Sequence, residues 1–396
     1  MQAARAAAIA VGIVVVLGDI GDVVRALVVP RPYVGGPIAA VLRPLRRFAL
    51  HTGRRWRRRS WGEPLLAASE PVLLLVRLAL WLAIVVVGFS LIIWGAGHDS
   101  WQRSLVASGS SVFTLGFANR TSTVPAVTAF MAAAIGVVIV ALQIAYLPTL
   151  YDAVNRRETL VTTLESRAGT PAWGPELLAR HYLVGIQQNL PTLYADWERW
   201  AADVAESHTA YPALLWFRSP HPQNSWLGAL TAVMDSGSLL LALSPQAAPA
   251  EARLCVRMGF TCLRDIARVL RIPFDPDPRP DQAIRLPHDR FEEAVAHLQA
   301  AGVPVERSIE EAWPHFRGWR VNYESIVDAL AAVLVAPPAP WLRPESTDDP
   351  RPNRPVDRVP DPAAHRQPAE KTVDSPATEG PGLATARQPP DRQPPD

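Results

Sequence analysis

Apolar residues concentrate in the first third of the chain, in three runs long enough to cross a bilayer. About 20 apolar residues in a helix span roughly 30 Å of hydrocarbon. The runs cover about residues 6–29, 71–95 and 124–146, and Pro148 is expected to end the third. The first run starts like a signal peptide, but no small-x-small cleavage site follows it, so it is read as a retained helix.

Beyond residue 152 the pattern becomes that of amphipathic helices, at about 157–167, 175–189, 194–207, 251–270, 289–301 and 321–335. A fourth apolar run, 226–243, carries Asp235, Ser236 and Ser238 at its centre. Aspartate there costs about 3 kcal/mol on membrane insertion, so this run reads as a buried core helix. From Pro337 onward the chain is rich in proline, arginine and aspartate and cannot bury enough surface to offset ordering entropy. The expected organisation is an all-α membrane protein: a first transmembrane helix (1–30), a basic linker (31–69), a two-helix module with an intervening loop (70–149), a helical cytoplasmic domain (150–336) and a disordered tail (337–396).

Charge orients this arrangement. The net charge is only +2, but the positive residues cluster. Arg43, Arg46, Arg47, Arg54, Arg55, Arg57, Arg58 and Arg59 follow the first run, and Arg156, Arg157 and Arg167 follow the third. Between the second and third runs lie only Arg103 and Arg120. The positive-inside rule then puts the N-terminus outside and everything after the third run in the cytoplasm of a plasma-membrane protein. Arg54, Arg55, Arg57, Arg58 and Arg59 set topology, and the same charges attract anionic membrane lipids. No basic stripe marks the soluble part, so no nucleic-acid partner is expected.

Asp19, Asp22 and Arg25 fall at three-residue steps within the first run and so share a helix face. Charges at that depth are costly unless paired, and an intrahelical pair packed on the neighbouring span is the expectation, with a proton or ion site as the alternative. Cys255 and Cys262 lie seven apart on one predicted helix, too far for a comfortable disulfide and without metal-ligand spacing. His181, Glu206, His208, Ser219, His221 and Asp235 form no nucleophile or metal motif, and no phosphate loop or dinucleotide fingerprint is present. Neither catalysis nor an organic cofactor is expected.

The stretch between the second and third runs is longer than a hairpin needs. Residues 101–112 read as a short amphipathic helix, followed by the polar, glycine-containing run Thr114, Leu115, Gly116, Phe117, Ala118, Asn119. This sequence resembles the potassium-channel pore superfamily, whose order is outer helix, pore helix, selectivity filter and inner helix. The family filter reads Thr, aliphatic, Gly, aromatic, Gly, Asp; the first four positions match and Ala118 and Asn119 depart. The resemblance implies a filter at 114–119 whose backbone carbonyls replace an ion's hydration shell. It also implies a permeant monovalent cation such as potassium, and a homotetramer, because one filter strand cannot close a pore. Gly136 would correspond to the bending glycine of the inner helix, with close helix packing as the equal alternative, and Gln143 would line the inner cavity. A Cβ at position 118 and the lost carboxylate at 119 bear on selectivity. They leave a second reading open, a non-conducting sensor or scaffold that keeps the pore-loop fold. The basic linker, the segment after the third run and the aromatic-rich stretch beyond it extend the likeness, to bacterial ion-channel-like membrane proteins, over about residues 1–270.

Overall fold

The computed structural model describes residues 2–29, 35–56, 62–97, 100–116 and 123–342. Among the described residues the chain forms helices and no β-strand. The N-terminal half contains α1 (Gln2–Leu27), α2 (Pro37–Trp56), α3 (Gly62–Ala96), α4 (Trp101–Val112) and α5 (Thr123–Ala168). The remainder contains α6 (Gly174–Leu183), α7 (Leu190–Ala210), α8 (Trp226–Leu243), α9 (Ala250–Leu270), α10 (His288–Ala300), α11 (Ile309–Arg320) and α12 (Glu324–Val333). A 3-10 turn, Pro212–Trp216, follows α7. All described residues belong to one unit, Met1–Pro355.

Among the described residues four helices are long and apolar enough to cross a membrane: α1, α3, α5 and α8. Their environments differ. Only 22 % of the apolar window of α5 is buried within the chain, against 100 % for α8. The exposed stripes of α1, α3 and α5, with residues such as Val14, Leu75 and Phe130, need an apolar medium or a partner. These are the features of a multi-pass membrane protein.

Helix α8 instead forms the axis of the second half, packed by α6, α7, α9, α11 and α12. Its charge is answered inside that core: Arg320 Nη1 donates to Asp235 at 2.6 Å and the Tyr323 hydroxyl donates to the same oxygen at 2.7 Å. Small residues allow the close approach. A Cβ on Gly259 would meet Met234 Sδ at 2.6 Å, and one on Gly237 would meet Val256 at 2.9 Å.

Several expectations need correction. Helix α5 does not end at Pro148 but runs through it to Ala168. Proline removes one backbone donor, yet packing holds the helix on both sides, with Tyr146 below and Leu150, Ala153 and Val154 above in one apolar cluster. The basic linker contains a helix, α2, whose Ile38 and Leu42 are buried and whose Gly53 sits directly under Leu66 of α3. Helix α3 begins at Gly62, inside the span expected to be linker. Helix α11 was not expected at all; it starts at a capping box in which Ser308 accepts from Glu311 N and Glu311 accepts from Ser308 N. The folded part also extends past Pro337: Ala339, Trp341 and Leu342 are buried, and the Trp341 carbonyl accepts from Arg320 Nη2 at 2.7 Å. The rest of the expected tail lies outside the described residues.

Arg157 fixes the extension of α5 to the helices beyond it. Its side chain is fully buried and donates to the carbonyls of Leu214 (2.9 Å) and Phe217 (2.7 Å) and to Glu158 (2.8 Å). It also lies 2.9 Å from His208 Nε2. A guanidinium only donates, so His208 accepts at Nε2 and is held neutral. Burial first, and the Arg157 charge second, push the His208 pKa well below its ordinary value.

Candidate functional site

Helix α4 is amphipathic and short, and small residues govern its seat. Ser100 caps its first turn, accepting from Arg103 N. Ala107, Ser108 and Val112 are buried, whereas Leu105, Val106 and Phe113 are exposed. Trp101 meets Trp94 of α3 edge-on, with ring centroids 6.5 Å apart. Two turns further in, the Ser108 hydroxyl donates to the Val86 carbonyl of α3 at 2.8 Å. That carbonyl also accepts from Ser90, at 2.6 Å, so a side-chain fork ties the two helices.

The C-terminal end of α4 rests on α5. The Val112 carbonyl lies where a Cβ on Gly136 would stand, with the Val112 side chain at 3.0 Å from the same point. Gly136 is thirteen residues into α5, roughly 20 Å from its start at 1.5 Å per residue. The short helix thus runs back along α3 and ends against the middle of the apolar stretch of α5.

Past Val112 the chain turns tightly. Phe113, Thr114 and Leu115 donate their backbone N–H groups to Gly109, Ser111 and Ser110. Thr114 has φ 56° and Gly116 φ 76°, both in the left-handed region. Glycine adopts it freely, whereas threonine with its branched Cβ does not. The carbonyl end of the α4 dipole, which attracts cations, points toward this turn. Thr114, Leu115 and Gly116 are exposed on the chain. Phe117, Ala118 and Asn119 lie outside the described residues.

Of the inner-helix positions, Gly136 makes the close α4 contact just given. Gln143 is 2 % exposed and its Nε2 has no hydrogen-bond partner. It sits on the stripe Ala132, Ile139, Tyr146 and Leu150, turned toward its own chain. The open face of α5 is formed by Val127, Phe130, Met131, Val137, Val138 and Ile144.

The charges of α1 are arranged differently from the expected intrahelical pair. Asp19 and Asp22 are buried and Arg25 is exposed. Asp22 accepts from Trp81 Nε1 of α3 at 2.9 Å and lies 3.9 Å from Arg77 Nη2, while the Arg77 guanidinium sits 4.7 Å from the centre of the Trp81 ring. The partners come from the neighbouring helix because glycines let the backbones meet: a Cβ on Gly12 would lie 2.6 Å from the Gly88 carbonyl, and one on Gly95 2.6 Å from the Arg5 carbonyl. Both carboxylate oxygens of Asp19 are buried without a partner.

The sequence reading missed Gly12, Gly88, Gly95, Trp81 and Ser108. The signal for the first three was present as small residues inside apolar runs. The tryptophan and serine carry none without a known neighbour. Arg54 and Arg55 close the last turn of α2, and Arg57, Arg58 and Arg59 lie outside the described residues. No group of His, Cys, Asp and Glu among the described residues could hold a metal ion. Cys255 and Cys262 are buried free thiols.

No protein-family model, no curated protein and no solved structure matches this chain.

Proposed function

We propose that the chain is one subunit of a tetrameric pore-loop cation channel of the plasma membrane, potassium-like with a divergent filter. The observation that supports it best is the seat of α4: a short helix held between α3 and α5 that ends against Gly136, half-way along the apolar stretch of α5. Non-helical backbone at such a depth is tolerated where it is enclosed by protein or lines water. The left-handed Thr114 and Gly116 begin the segment that resembles a selectivity filter. In this reading α1, α3 and α5 span the membrane, α8 does not, the N-terminus is external and the open face of α5 meets the other subunits or the pore.

The test is ion flux. Proteoliposomes holding purified tetramers under opposing potassium and sodium gradients are expected to pass potassium, and Gly116→Asp to abolish the current. Wild-type tetramers that carry no current would overturn the channel reading. They would favour the second one, a non-conducting membrane sensor or scaffold, which Ala118 and Asn119 support.

A further inference from the structure

Helix α2 carries three kinds of residue on three separate arcs. At 100° per residue, Ile38, Leu42 and Gly53 fall within about 60° of one another, and these are buried against α3. Val41, Leu45 and Phe48 fall within a second arc of about the same width. All three are exposed, Phe48 by 68 %. Arg47, His51 and Arg54 form a third arc, also exposed, about a third of a turn from the second. Arg43 shares that third arc but is already engaged within the chain.

The helix lies across α3 rather than along it. Arg46 meets Glu70 and Gly53 meets Leu66, so seven residues of α2, about 10 Å of axis, correspond to four of α3, about 6 Å. At this level α3 exposes Leu65 and, two turns on, Val72, so its apolar stripe reaches down to α2. On the other side, the Arg46 guanidinium lies 4.1 Å from the centre of the Trp216 ring, and Arg218 pairs with Glu63 at the start of α3 at 3.1 Å. Helix α2 therefore stands where the apolar spans give way to the second half of the chain.

The exposed apolar arc needs an apolar cover. Three side chains fall far short of the roughly 20–30 residues a side in a stable protein interface, and cations flank them. A bilayer surface satisfies both conditions: its acyl boundary receives the apolar arc and its anionic headgroups meet the arginines.

We propose that α2 is a membrane-surface helix. Val41, Leu45 and Phe48 enter the acyl boundary of an anionic cytoplasmic leaflet, and Arg47 and Arg54 lie among its headgroups. The segment that composition presents as a linker is then a lipid-contacting element, tied to α3 through Glu70 and to the turn after α7 through Trp216. The proposal rests on α3 crossing the bilayer with its start in the cytoplasm. It does not rest on conduction: the helix meets lipid equally in a chain that carries no current, so the two readings fail separately.

Site-directed spin labelling of the full-length protein in vesicles of phosphatidylcholine and phosphatidylglycerol tests it. Single labels are placed through Leu45→Cys, Phe48→Cys, Arg47→Cys and Arg54→Cys. Cys255 and Cys262 are buried, so wild type serves as the unlabelled blank. Collisions with oxygen, which concentrates in acyl chains, are compared with those of a water-soluble nickel complex. The oxygen-to-nickel ratio is expected to be at least about threefold higher at 45 and 48 than at 47 and 54. In vesicles of phosphatidylcholine alone the ratio at 45 should fall about twofold, because the arginines lose their headgroup partners. Equal ratios at all four positions would overturn the surface helix. Labels at 45 and 48 shielded from both reagents would assign the arc to a protein partner and overturn the lipid. An unchanged ratio in phosphatidylcholine would overturn the anionic headgroup contact.

Discussion

The backbone carbonyl of Val112 occupies the space that a side chain on Gly136 would need. This contact fixes how deep α4 reaches between α3 and α5, and backbone cannot give way as a flexible side chain does. Gly136→Ala should therefore push the end of α4 outward, costing about 1–3 kcal/mol and shifting the turn at Thr114. Thermal unfolding of the purified protein and ion flux should both fall. A Gly136→Ala protein with unchanged stability and flux would show that α4 is not seated on α5.

Arg320 is the single buried cation that holds Asp235 of α8, Glu324 of α12 and the Trp341 carbonyl together, at 2.6, 2.8 and 2.7 Å. Removing it leaves two carboxylates buried side by side. Arg320→Met is expected to destabilise the domain by about 3–5 kcal/mol in denaturant unfolding followed by circular dichroism. Adding Asp235→Asn should recover part of that loss, because one of the stranded charges disappears. A double variant no more stable than the single one would mean that the two side chains do not act as a pair.

His208 accepts a hydrogen bond from Arg157, and burial beside that charge holds its pKa well below the ordinary value. The unfolded chain binds a proton at this residue near pH 6.5 while the folded chain does not. Stability contributed here is fully present above about pH 6.5 and is lost as pH falls below it. His181, whose pKa burial also lowers, adds in the same direction. Thermal stability should decline from pH 7 to pH 5, and His208→Gln, which keeps an acceptor beside Arg157, should flatten that slope. An unchanged slope in the variant would assign the pH dependence elsewhere.

Much of the helical frame was legible because periodicity depends on residues close in the chain. The spacing in α9 predicted both its ends to within a residue of Ala250–Leu270, and the amphipathic stretch 101–112 matched α4. The reading of 226–243 as a core helix followed from Asp235, and the structure supplies the missing half of that reasoning, a buried arginine from α11. Helix ends were less legible. Pro148 is a helix breaker by local chemistry, and only packing around Tyr146 and Leu150 carries α5 through it. Helix α2 was obscured by its arginines, which read as a basic linker until Ile38 and Leu42 are seen against α3. Asp22 shows the same limit at the level of a single group. The sequence places it beside Arg25, whereas the fold gives it Trp81.

The sequence alone determined that this chain has long apolar helices, clustered arginines, a short amphipathic helix at 101–112 and a segment resembling a pore filter, because each rests on local composition and spacing. The tertiary structure decided which glycines bring α1 onto α3, where α4 ends on α5, and what neutralises Asp22 and Asp235. Those outcomes depend on contacts between residues tens to hundreds of positions apart, which no local pattern encodes.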